Sequence, residues 1–540
     1  MSKRTASSNL DGSEQVVRVG ERAYRVRTQV VVEEVDGDES RPGGEVRQEA
    51  DGCFEMMLSE ENGTSIDQSE QAVLATCWPA MRHALSQHLH SVSKKKAEKA
   101  VARDGGQAVE DPTAYRVEGE VGRFAFPCHH VVVDDRVVLD TSRQVFPALT
   151  GKEWYRTVGF KELAIVRGAL DSSYRHTTQM LNRFRHQPEA TPLRTLQDAV
   201  EGEGLAAAAA QDTEARRVVR AAGLSAETLT PEQDCTACSP QHLAPELVDA
   251  ALREIAPDPR TLEAMRANPV GYESPEVTVS VSIDDVLAKK QREHRCGKGR
   301  TIPVESSDSR TCRTTAAKGQ KKCVHTTVAH VQSRAGERIF CSPGVVSTCL
   351  LVMAFLVANQ MLGLNWIFFV DGQRTLHEAL LRLFAWQGTL QLILDWHHID
   401  KKCQETLSLA LNNRHVRNQV LQEVLALLWY GNVDAATAYL RRVDTKHVKC
   451  AEALERLVGY FERHRGCIPC YAARKQLGLR NSSNRGEKAN DQVVSARQKH
   501  NGMSWSQPGS SALSTLRALV CNNQHRQWFE TNTVDFPQAA

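Results

Sequence analysis

A net charge of either sign is missing from this chain. Its 67 Lys and Arg face 65 Asp and Glu, a formal +2 over 540 residues. Bulk charge therefore neither implies nor excludes a polyanionic partner, and only local clustering can. An apolar run is missing from the N-terminal stretch MSKRTASSNLDG, which argues against a secretion signal. The fifteen cysteines, an odd number, are then expected as reduced thiols in a cytoplasmic setting. An unbroken membrane span is missing too. Ile339 to Val370 carries no charged residue, but Ser342-Pro343-Gly344 and Gly363 interrupt it and Asn359-Gln360 sit within it. It reads as a strand end, a buried helix over Val345–Leu362 and a strand, with no membrane partner. What is present is 41% hydrophobic and 24% charged residues, enough to bury cores for about three domains.

Along the chain, residues 1–60 read as a partly mobile segment with a hairpin over Tyr24–Val35. Residues 61–159 read as a mixed α/β domain, with a helix over Gln71–Leu89 and strands over Arg123–Pro127 and His130–Leu139. Residues 160–224 read as all-helical. Thr191-Pro192 gives a helix start, and Arg175, Arg183, Arg185 and Arg194 dot the region. Either a helix-turn-helix that binds DNA or a helical bundle with exposed arginines fits. Residues 225–274 read as linker and helices. Cys235 and Cys238 there, with Cys467 and Cys470 far downstream, form two C-x-x-C pairs. Together they could make a four-thiolate zinc site, though no spacing links them.

The most informative stretch is Asn365 to His398. It reads as strand (Trp366–Val370), helix (Thr375–Trp386) and strand (Thr389–Leu394), and each strand is closed by an aspartate, Asp371 and Asp395. Upstream, the β-branched run Pro275–Ile283 ends at Asp284-Asp285, and strands follow over Cys323–Gln332 and Glu337–Cys341. Between them a basic stretch from Lys289 to Lys322, including Lys290 and Arg292, is a candidate phosphate-binding arm. Helices fill 399–480, and Glu487 opens a further helix. Acids at the C-terminal ends of neighbouring strands sit where open α/β sheets place their chemistry. Two Asp and a Glu can hold two divalent ions ~3.5–4 Å apart. Such hard oxygen donors suit Mg²⁺ or Mn²⁺. Either Asp284 or Asp285 can be the first ligand, because a strand turns only one of the two toward a given face.

On these residues the chain resembles DDE-type bacterial insertion-sequence transposases, close to the Mutator-like group. V-D-G at Val370–Gly372 is similar to the family's second aspartate motif, and L-D-W-H-H at Leu394–His398 to its D-x-x-H. Arg485-Gly486-Glu487 is similar to the end of its G-x-x-E, and Gly502-Met503-Ser504-Trp505 to its C-terminal motif. Gln373 and the Asn481–Arg485 stretch depart from the usual pattern. The resemblance implies a ribonuclease-H-like α/β catalytic domain in two parts, 275–398 and 481–540. An all-α insertion at 399–480 interrupts it, and β-rich and all-α domains precede it. It implies Asp284, Asp371 and Glu487 as catalytic ligands of two Mg²⁺. Asp284 is favoured over Asp285 by family position, with Asp395, His398 and Arg497 near the site. It implies double-stranded DNA, as element ends and as target, for partner. Expected DNA contacts are Arg175, Arg183, Arg194, Lys289, Lys290, Arg292, Arg480, Arg485, Lys488 and Trp505, the last being core or a base-stacking wedge. A homodimer or larger assembly associated with the bacterial nucleoid is expected by analogy. The alternatives are a domesticated, inactive DNA-binding protein and a purely hydrolytic nuclease.

Overall fold

The computed structural model describes residues 13–19, 22–28, 66–111, 114–133, 136–140, 154–233, 238–291, 323–334 and 336–537. The chain is mixed α/β and divides into two compact units, 1–197 and 198–540.

In the first unit an antiparallel hairpin pairs Ser13–Val19 with Arg22–Thr28, earlier than expected. Residues beyond Thr28 in the expected hairpin lie outside the described residues. A single helix, Ile66–Asp104, replaces the shorter one expected, with Pro79 inside it. Two three-stranded sheets follow. Helical pieces Val158–Phe160, Lys161–Val166 and Arg167–Leu170 run together, and Tyr174–Phe184 comes next, capped by the Ser173 hydroxyl.

The second unit is built on five strands: β1 (Thr278–Lys289), β2 (Cys323–Ser333), β3 (Gly336–Ser342), β4 (Asn365–Val370) and β5 (Leu390–Leu394). Their order is β3-β2-β1-β4-β5. The first three are antiparallel neighbours, and β4 lies parallel to both β1 and β5. β4 (NWIFFV) is buried along its whole length, as a strand covered on both faces must be. One cover is α1 (Val345–Ala358), the charge-free segment, which buries Cys349–Leu356 against Val281, Ile283 and Ala329. No helix among the described residues is long and apolar enough to cross a membrane.

Helix α2 (Arg374–Phe384) joins β4 to β5. A helical block follows: α3 (Trp396–Ala410), α4 (Arg414–Trp429), α5 (Val433–Arg441), α6 (Ala451–Arg463) and α7 (Tyr471–Gln476). Next comes α8 (Asn484–Asn490), continued by a π-helical stretch, Asp491–Ser495, and a last turn, Ala496–Gln498. Helices α9 (Gln507–Cys521) and α10 (His525–Thr531) complete the described chain. On the sheet face opposite α1, Val286, Val328 and Ile339 pack against Ala489, Val493 and Ala518. That face therefore belongs to α8 and α9.

Candidate active site

β1 does not stop at Asp284, as the sequence suggested; it continues to Lys289. Its outer half pairs with β2 alone, because β4 leaves β1 after Phe369 faces Ser282. Carrying that parallel register two residues further brings Asp371 alongside Asp284. Carrying the β4–β5 register one residue past Val370 and Leu394 adds Asp395 to the same row. Three acids thus stand side by side where the parallel strands end.

Strand parity decides between the two acids of β1. Asp285 accepts a hydrogen bond from the Thr327 hydroxyl at 2.5 Å. Asp284 faces α8 and lines one small cavity with Asp371, Glu487, His398, Ser483 and Asn490. Its Oδ1 accepts the Asp285 amide at 2.8 Å and its Oδ2 accepts Asn490 Nδ2 at 2.9 Å. Burial, and then the negative charge of Asp371, push its carboxyl up to about 6. The Asp285 amide and His398 oppose that rise only in part.

Glu487 reaches the cavity because α8 lies hard against β1. A Cβ on Gly486 would stand 2.5 Å from Ser282 Cβ, so only glycine permits this approach. His398 Nε2 lies 3.5 Å from Glu487 Oε1. The π-helical turns begin directly after Asn490, a local geometry that recurs at functional sites. Gly372 adopts φ +81°, and a Cβ there would meet the Tyr460 ring at 2.9 Å. The D-G pair thus turns the chain sharply out of β4 while holding Asp371 at its end.

Asp395 has a different character. It is 1% exposed and caps α3, accepting the amides of His397 at 2.8 Å and His398 at 3.1 Å, while its second oxygen takes the Ser483 amide. Its own amide donates to the Val370 carbonyl at 2.9 Å. Both carboxylate oxygens are committed to backbone, and they tie the end of β5 to the residue before α8.

Several expected contacts land elsewhere. Trp505 is 6% exposed and donates Nε1 to the Gln498 carbonyl, so it is core and not a wedge. Arg497, 1% exposed, stacks on Trp505 and donates to Met503 Sδ; it supports the G-M-S-W turn and does not line the cavity. Arg480 turns inward to Gln332 Oε1 at 2.5 Å and over the Phe369 ring, away from a DNA-facing role. Arg185 is fully buried beside Glu118 and Thr191, where burial pulls its guanidinium down to about 10; it braces the fold. Arg485 pairs with Glu337 at the surface, and Lys488 is exposed. Lys289 is exposed and Lys290 is half-buried, while Arg292 and the rest of the basic stretch to Lys322 lie outside the described residues. Arg175, Arg183 and Arg194 are exposed on helices.

Part of the four-thiolate zinc site suggested by the two C-x-x-C pairs falls outside the described residues. Cys235 lies outside the described residues, and Cys238 is exposed. Cys467 Sγ lies 3.5 Å from His377 Nε2, whereas Cys470 packs in a separate cluster with Leu252 and Met265. No group of cysteines among the described residues can share an ion.

Asn490 and Ser483 went unnoticed in the sequence. Asn490 follows Glu487 by three residues, which puts both on one helical face, so that spacing was a usable signal. Ser483 acts through its backbone amide, which no residue identity reveals.

As to what the site could hold, the donors are hard oxygens from Asp284, Asp371 and Glu487. The repulsion that lifts Asp284 is relieved by a cation placed among them. The donor types suit a divalent metal, but the three carboxylates do not all bring an oxygen within 4.8 Å of the others, so binding an ion would have to draw them together.

No protein-family model matches this chain, and no curated protein matches it. Among solved structures it is similar to the Drosophila P element transposase strand transfer complex, over 73% of this chain and 87% of that chain, at 9% sequence identity and a TM-score of 0.19. Values that low carry no statement of what this chain does.

Proposed function

We propose that the chain is a DDE-type DNA transposase that cuts duplex DNA at the ends of a mobile element and joins the freed 3′-hydroxyls to target DNA. What carries the reading is the convergence of Asp284, Asp371 and Glu487, from two strands and a helix, on one cavity. The strand order, three antiparallel strands followed by two parallel ones, favours a ribonuclease-H-like catalytic domain. The motif resemblance to insertion-sequence transposases favours joining over simple hydrolysis.

On this reading Asp284, Asp371 and Glu487 hold two Mg²⁺. Those ions would activate the attacking oxygen and stabilise the leaving one. The protein's own part is positional. The Asp285 amide and Asn490 fix the Asp284 carboxylate from two sides, and His398 sits beside Glu487. Asp395 keeps α8 in register with the strand ends and ligates nothing. Exposed Lys289, Lys488, Arg175, Arg183 and Arg194 would contact DNA phosphates, which makes binding fall steeply with salt. Assembly as a homodimer or larger belongs to the same reading.

The test uses the full chain with duplexes taken from DNA flanking its gene. The expected result is Mg²⁺-dependent nicking at a fixed position, followed by joining of a pre-nicked end into plasmid. Asp371→Asn should abolish both while duplex binding persists. Undiminished nicking by that variant would refute the assignment, and nicking without joining would reduce the protein to a hydrolytic nuclease.

A further inference from the structure

A second cluster lies near the Asp371-Gly372 turn, with Tyr460 packed against both, and nothing in the proposed reaction uses it. His377 sits in the first turns of α2, His464 directly follows α6, and Cys467 closes the short turn after it. One ring nitrogen of each histidine and the Cys467 sulfur all lie within 4.8 Å of one another. Cys467 Sγ is 3.5 Å from His377 Nε2, and the two imidazoles meet edge to face with centroids 5.2 Å apart. His464 is 5% exposed and Cys467 7% exposed, yet His464 Nδ1 has no hydrogen-bond partner. A buried imidazole with one unpaired nitrogen, set beside a thiol and a second imidazole, suits a metal ion.

We infer that His377, His464 and Cys467 form a zinc site that clamps α2 to the end of α6. Tetrahedral zinc, with Zn–S ~2.3 Å and Zn–N ~2.0–2.1 Å, sets sulfur and nitrogen ~3.6 Å apart and two nitrogens ~3.3 Å apart. The observed sulfur–nitrogen distance of 3.5 Å already matches, and the remaining separations, none above 4.8 Å, need to close by at most about 1.5 Å. Imidazole and thiolate suit zinc, whereas the three carboxylates of the other cavity suit magnesium, so one chain would sort two metals by donor softness. His377 is only half-buried, leaving a side open for water as fourth ligand. Both imidazoles are poised as neutral ligands: burial pulls His377 down, and burial with His377 and Arg463 pulls His464 down to about 4. Burial pushes the Cys467 thiol up to about 11, which rules out a free thiolate nucleophile; binding zinc would expel that proton to solvent. The consequence is mechanical. Tyr460 packs on His464 and against Gly372, so a clamp here fixes the turn that presents Asp371.

The full chain, purified without chelator, should carry one zinc, measured by elemental analysis. Exchange to Co²⁺ should give the visible bands of a four-coordinate ion and a near-ultraviolet thiolate-to-cobalt band. Cys467→Ser should lose that near-ultraviolet band, and His464→Gln and His377→Asn should lose the metal. Cys470→Ser, which alters the buried thiol three residues further on, should keep both. Cobalt in the carboxylate cavity would show weak octahedral bands and no sulfur band, so the two sites are read separately. A metal-free chain that takes up no cobalt, or a sulfur band that survives Cys467→Ser, would overturn the site.

Discussion

Replacing Asp284 by Asn should stabilise the metal-free protein at neutral pH. An unfolded aspartate titrates near 3.8, whereas folding pushes Asp284 up to about 6. For an acid raised in this way, the folded chain keeps a proton that the unfolded chain has released. Stability is therefore undiminished below about pH 4, falls as pH rises from there to about 6, and stays low above. The full penalty is about 3 kcal/mol, taken at 1.36 kcal/mol per pH unit. Asn carries no charge and avoids it. One loss offsets part of the gain. The amide of the new side chain can still accept the Asp285 N–H, but it presents a donor to Asn490 Nδ2 unless Asn490 rotates, worth about 1 kcal/mol. A net gain of about 2 kcal/mol is expected at pH 7.5 and a net loss of at most about 1 kcal/mol at pH 4, read from urea midpoints of both proteins in EDTA. Added Mg²⁺ should reverse the order, because only the wild type gains binding free energy, about 2.7 kcal/mol at a hundredfold excess over Kd. Equal stability of the two proteins at pH 7.5 in EDTA, or a gain of the same size at pH 4, would refute the reasoning.

Three further perturbations test the scaffold. Gly486→Ala should lose about 1–3 kcal/mol and the Mg²⁺ response, because its methyl enters the space of Ser282 Cβ; thermal melts should show partial recovery when Ser282→Gly is added. Arg474→Met should lose about 3–5 kcal/mol in urea denaturation, since it strands the buried carboxylate of Glu273 that the two nitrogens of Arg474 now hold at 2.5 and 2.6 Å. Asp395→Ala removes the acceptor of three amides. It should lose about 2 kcal/mol by the same measurement and weaken Mg²⁺ stabilisation, although Asp395 itself binds no ion.

The sheet was legible because its strands alternate or run continuously apolar, and the ends of β2, β3 and β5 fall within a residue or so of expectation. The end of β1 was not. Asp284-Asp285 looks like a strand terminator, yet Val286 and Ala288 continue the buried alternation, and pairing with β2 alone sustains the strand to Lys289. The row of acids was legible only as order along the chain; that Asp284 and not Asp285 enters the cavity follows from parity once the α8 face is known. Charge misled in a consistent way. Arg480 and Arg185 read as surface cations, but each is held by a distant partner that no local pattern encodes, Gln332 and Glu118. The metal-competent neighbours of Cys467 were half legible: His464 stands three residues before it, an H-x-x-C spacing that went unread, whereas His377 lies on α2, ninety residues away.

The helical block does more in this geometry than extend the surface. Strands β4 and β5 end next to the carboxylates, and past their ends the backbone has no further ladder to satisfy it. The block supplies the missing donors: the Tyr471 hydroxyl to the Leu394 carbonyl at 2.6 Å, and the Tyr460 hydroxyl toward the Asp371 carbonyl at 3.4 Å. Arg474, in α7 with Tyr471, anchors it further by donating to the Arg480 carbonyl and to Glu273, five residues before β1. Both hydroxyls belong to residues whose rings are buried in the main core, so each donor is positioned by packing and not by a flexible loop. An insertion that only gripped a ligand could be attached by mobile linkers. This one closes the hydrogen bonding of the strand ends that carry Asp371 and Asp395, so the acid row and the helices behind it form one structural element.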